Sequence, residues 1–180
     1  MLAGLAESLC EICTVTKKDV VTQKIVPILT ELLKDEHHEV KMGVLSGLLN
    51  VATIVGPELI SGNLLMSLSN LMKEAQWRVR FSVVNLVASL AKEFGRDFYA
   101  KNLEAIFLQF LTDNSAAVRD AGIEKVLVLA SEFKADWVVN AYVPKAVEIL
   151  SKDKQGYLYR MAVLNSMNVL TYIPPTFGRA

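Results

Sequence analysis

The chain has 180 residues, 52% apolar and 21% charged, which is enough to bury a sizeable core and excludes a disordered segment. Nineteen basic residues balance nineteen acidic ones, so no net field draws the chain to nucleic acid or to an anionic membrane. Nine Gly and five Pro exclude fibrous and linker-like classes, and two Cys cannot build a disulfide framework, which fits a reducing compartment. Met1 is followed at once by Leu2-Ala3-Gly4-Leu5, Glu7 interrupts that stretch, and no run of about 18 apolar residues occurs, so neither a signal peptide nor a spanning helix is expected.

In chain order, residues 1–18 predict one helix, and from residue 19 onward a pattern recurs. An acid, a few polar residues, an apolar residue and a base appear as Asp35 to Lys41, Glu74 to Arg80, Asp113 to Arg119 and Asp153 to Arg160. Acids and bases advance by 39 residues twice, then by 40 and 41. Two residues after each base stands a small one (Gly43, Ser82, Ala121, Ala162), and seven after it a large apolar one (Leu48, Val87, Val126, Met167). Pro27 and Pro144 lie three periods apart. A fixed period of this length marks stacked supersecondary units.

Each unit reads as two helices. Leu103, Ile106, Phe107, Phe110 and Leu111 step at three and four residues, and Val118, Ala121, Ile123, Val126, Leu129, Ala130 and Phe133 form a like apolar stripe at helical spacing, while strand alternation is absent. Gly56 and Gly95 suit helix C-termini, Pro57 a following first turn, and Asp19, Asp97 and either Asp113 or Ser115 helix N-caps. The boundaries that follow are 1–18 for the second helix of an incomplete unit, then units at 19–56, 57–95, 96–134 and 135–173, and a tail at 174–180. A pair of short helices cannot bury its own apolar face, so an all-α array of stacked pairs is expected. The absence of polar capping units suggests an excerpt from a longer array.

The unit of about 39 residues, with Pro in its first helix and an Asp…Val-Arg turn, resembles the HEAT family. Gln76-Trp77-Arg78-Val79-Arg80, Leu90-Ala91-Lys92-Glu93-Phe94-Gly95 and Tyr157-Leu158-Tyr159-Arg160-Met161 narrow the likeness to the scaffold (A) subunits of type 2A serine/threonine protein phosphatases, over residues 1 to about 170. That resemblance implies a right-handed α-α superhelix and a non-enzymatic role. Its ridge of turns would hold the phosphatase catalytic subunit and help assemble it with a regulatory B-type subunit, in the cytoplasm, with the nucleus as a second location. By the same resemblance, Trp77, Arg78, Tyr157 and Leu158 are partner contacts. Another HEAT or armadillo adaptor of transport or trafficking stays open, as does, less well supported, a nucleic-acid-binding helical repeat.

Each candidate residue also has a bland reading. Trp77 can pack across its own turn, or anchor a partner, because aromatics and Arg dominate interface hot spots. Asp35, Lys41, Glu74, Arg80, Asp113, Arg119, Asp153 and Arg160 read as a structural ladder, with a basic ridge for an acidic partner as the other option. Cys10-Glu11-Ile12-Cys13 has redox or zinc spacing but sits in a helical pattern without a second Cys pair, which favours packing. His37-His38 read as a solvated turn rather than a metal site. No phosphate loop or hydrolase motif occurs, so no catalytic residue, cofactor or metal is expected. Met1, Leu2, Leu5 and Leu9 lack a partner helix in the sequence, so end-to-end self-association is expected.

Overall fold

The computed structural model describes residues 2–60, 62–152 and 157–170, and the side chains within them except those at 2, 3, 59, 60, 63, 150, 152, 157–159 and 169. Every regular element among the described residues is helical. In order these are α1 (Leu2–Cys13), α2 (Lys18–Val20), α3 (Val26–Leu32), α4 (His38–Val55), α5 (Pro57–Ile60), α6 (Asn63–Leu71), α7 (Trp77–Phe98), α8 (Glu104–Phe107), α9 (Ala116–Trp137), α10 (Val143–Lys152) and α11 (Tyr157–Leu170). No described helix is long and apolar enough to cross a membrane.

The long helices α4, α7 and α9 start at His38, Trp77 and Ala116, 39 residues apart at each step. They pack in sequence order: α1 on α4, α4 on α7, α7 on α9 and α9 on α11. The shorter helices form a second row, with α3 against α4, α6 and α8 against α7, and α10 against α11. One continuous apolar cluster runs between the rows, including Leu48, Val51, Val87, Leu90, Val126 and Leu129. Gly47 sets the approach of α1 to α4. A Cβ there would stand 2.2 Å from Cys10 Cβ, so only glycine lets the helices come this close.

Three segments of the shorter row widen into π-helical turns, at Val21–Ile25, Tyr99–Leu103 and Val138–Tyr142. In each the next amide reaches five residues back, as Val143 N–H does to the Val138 carbonyl. Pro27 and Pro144 stand one residue beyond two of these turns, after Val26 and Val143, so the helix that follows each turn carries a residue without an N–H in its first turn. Beside the last two lies the aromatic part of the core. Tyr99, Phe107, Phe133, Trp137 and Tyr142 meet with ring centroids 5.4–6.0 Å apart, mostly edge to face.

Where long helix gives way to short, the chain turns through a positive-φ residue: Gly56 (φ 89°), Gly95 (φ 82°) and Lys134 (φ 72°), again 39 residues apart. Two capping expectations need correction. Asp19 lies inside α2, after an extended Lys17, and Asp97 lies within the helical turns after Gly95. Both carboxylates sit in a first turn, where a negative charge faces the helix N-terminus, rather than at the capping position.

Candidate functional site

The turns from short to long helix at residues 33–38, 72–77 and 111–116 share one construction. Leu33 and Met72 amides bond four residues back, and Lys34 and Lys73 amides three back, which tightens the helix end. His37, Gln76 and Ser115 then stand extended before α4, α7 and α9, with φ near −80° and ψ of 110° to 126°. None caps its helix with a side chain. Instead Asp35 and Asp113 accept the amide two residues on, each at 2.8 Å, the local bond that a short carboxylate can make and Glu74 does not.

Glu74 pairs with Lys41 of the preceding unit. Arg80 grips Asp113 with both arms, Nε to Oδ2 at 2.7 Å and Nη2 to Oδ1 at 2.8 Å, with both side chains largely buried. Arg80 Nη1 also donates to the carbonyls of Glu74 at 2.5 Å and Ala75 at 3.1 Å. Arg119 repeats this inner half, reaching the carbonyls of Asp113 at 2.7 Å and Asn114 at 3.2 Å. Lys41, Arg80 and Arg119 thus bond the next unit's acid, their own turn, or both. The Asp113 bond holds the Arg80 guanidinium above its usual pKa, against the opposing effect of burial. Asp35 bonds only within its turn, and the His37 amide followed by the His37 ring holds its carboxyl below the usual range. Asp153 lies outside the described residues, and Arg160 is exposed.

Trp77 opens α7 and is half-buried. Its ring meets Phe81, one turn on, edge to face at 6.2 Å between centroids, and the exposed Arg78 guanidinium lies 4.8 Å above the ring. Trp77 is thus partly buried against the core, and its ring also meets Arg78 and the exposed Phe81. Phe81 was legible as the i+4 neighbour of Trp77, although it falls outside the apolar columns. Tyr157 and Leu158 open α11, and their side chains lie outside the described ones.

Between the 72–77 and 111–116 turns an open groove of about 450 Å³ runs over the Arg80–Asp113 pair, lined by Lys73, Ala75, Gln109, Thr112 and Asn114 among others. Periodicity gave no hint of Gln109 or Thr112, because polar residues on a helix back carry no column of their own.

The cysteines sit apart from the three turns, and the histidines lie in the first of them. Cys10 and Cys13 are buried free thiols on the inner side of α1. Burial, then the neighbouring Cys13 and Glu7, pushes Cys10 up to about 11. His37 is exposed beside Asp35, and His38 lies 3.5 Å from the Glu39 carboxylate. No group of three or more metal-binding side chains occurs among the described residues. No family model matches the chain, and no curated protein matches it.

Proposed function

We propose that this chain is a HEAT-type solenoid, a right-handed superhelix of helix pairs. It would act as a non-enzymatic scaffold in the manner of the phosphatase 2A A subunit, offering its ridge of turns to a phosphatase catalytic subunit in the cytoplasm and helping to assemble it with a regulatory subunit. The observation that carries the reading is the Trp77–Arg78–Phe81 group on the edge of one ridge turn. An aromatic anchor locked by packing on one side and open on the other loses little side-chain freedom on binding, which is how hot spots form. The Lys41–Glu74 and Arg80–Asp113 pairs beneath it fix one turn against the next, so the ridge meets a partner already ordered.

Titration of the phosphatase catalytic subunit against the wild-type chain and Trp77→Ala tests the proposal. Trp77→Ala weakens binding by about 2 kcal/mol, roughly thirty-fold, with little change in melting temperature. Arg78→Ala acts in the same direction, more weakly and with stronger salt dependence. Wild-type binding that Trp77→Ala leaves unchanged, or no binding at all, removes this function from the chain.

A further inference from the structure

The geometry points to the groove between the 72–77 and 111–116 turns as a docking site for an acidic, extended peptide segment, seated by Lys73. The sequence sets the free charge. At the end of each short helix two positions recur three residues apart: Glu31 with Lys34, Asn70 with Lys73, and Gln109 with Thr112. In the first unit Glu31 bonds Lys34 at 2.6 Å and neutralises it. In the second, Asn70 stands where that acid would be, and the exposed Lys73 side chain has no ion-pair partner among the described residues. The residue after each turn acid is Glu36, Ala75 and Asn114, so the middle turn carries the shortest side chain there and no charge. Ala75 lines the groove, whose volume of about 450 Å³ falls within the range of sites that enclose small ligands.

The floor adds no competing charge. Asp113 is spent on Arg80 Nε and Nη2 and on the Ser115 amide, Arg80 Nη1 on two carbonyls, and Glu74 on Lys41. Those bonds hold the floor in place and leave Lys73 as the unbalanced charge among the lining residues. Arg78, exposed at the start of α7, adds the same sign nearby. The far wall suits a peptide main chain. Gln109 gives one amide hydrogen to the Ala105 carbonyl at 3.3 Å and keeps a second one and its own carbonyl oxygen. Thr112 donates to the Gln109 carbonyl at 3.4 Å and keeps its oxygen as an acceptor. Such groups meet the N–H and C=O of an extended segment, while the Lys73 ammonium meets its carboxylate in a charge-assisted bond. The inference does not rest on the phosphatase reading, because the groove offers the same chemistry whichever protein brings the segment.

Amide-resolved NMR titration of the whole chain with a synthetic hexapeptide of alternating Glu and Ser tests it, beside the same peptide with Gln in place of Glu. The acidic peptide shifts amides within 72–76 and 112–115, and the neutral one binds about tenfold more weakly. Lys73→Glu lowers the affinity by about tenfold or more, and so does Ala75→Glu, which puts a carboxylate in the groove as Glu36 stands one unit earlier. Both positions are exposed, so melting temperatures change little. Lys73→Arg and Lys34→Glu bind as the wild type does. No shifts in the wild type, equal binding of the two peptides, or binding that survives Lys73→Glu overturns the inference. So does an equal loss in Lys34→Glu, the sign of diffuse surface charge, or inorganic phosphate shifting the same amides as strongly as the peptide, the sign of a bare anion site.

Discussion

At the scale of single residues, Lys134 is the one described non-glycine with positive φ, and its ψ of 173° puts it in a region that only glycine occupies comfortably. Gly56 and Gly95 fill the same place in the two preceding units. Lys134→Gly therefore stabilises the fold by about 1 kcal/mol, and Gly95→Ala destabilises it by at least that much, both read from urea midpoints. The two glycines were legible as helix endings, but the strain at Lys134 was not, since a lysine in a polar stretch carries no backbone signature. Tyr99 offers a second test. Its hydroxyl is buried without a hydrogen-bond partner, while its ring packs on Phe107, Phe133 and Trp137. Tyr99→Phe keeps the ring and relieves the hydroxyl, for a gain of about 1 kcal/mol. Burial raises the pKa of Tyr99 and pushes Tyr142 up to about 12. Both phenols stay neutral in the fold while the unfolded chain ionises near its ordinary value of 10.0. Their contribution is thus fully present below that pH and is lost as pH rises through it toward the folded values. Tyr99→Phe shifts alkaline unfolding to higher pH.

At the scale of elements, the ladder decides how one helix pair sits on the next. The columns of acids and bases were readable from the 39-residue spacing. Which acid each base takes was not, because an arginine six residues after its own acid and one facing the next unit's acid look alike until stacking brings Arg80 to Asp113. Removing either partner leaves a buried charge. Arg80→Ala and Asp113→Ala should each cost about 3 kcal/mol, and the double variant should cost less than their sum. Thermal melts of the four proteins measure the coupling. The core column is tested by Val126, fully buried on α9. Val126→Asp places a charge among apolar groups and costs about 3 kcal/mol or more. Gln109→Ala, whose amide reaches only the Ala105 carbonyl at 3.3 Å, stays within about 0.5 kcal/mol. Equal melting shifts for those two would contradict the register of α9.

At the scale of the whole molecule, the long helices pack in sequence order, α1 on α4, α4 on α7, α7 on α9 and α9 on α11, so stability is largely a sum of neighbouring pairs and small changes at each junction add along the row. The all-helical class and the two-row layout follow from the apolar periodicity. The half-exposed setting of Trp77 does not, because it depends on Phe81 and Arg78 converging on one ring. The central claim is that the ridge of turns, rather than the backs of the helices, meets a phosphatase catalytic subunit. Hydrogen–deuterium exchange of the chain with and without that subunit tests it most directly. The account predicts added protection at residues 72–78 and 111–116, with the exposed sides of α4 and α9 unchanged. Protection confined to those helix backs, or none at any saturating concentration of the subunit, would contradict it.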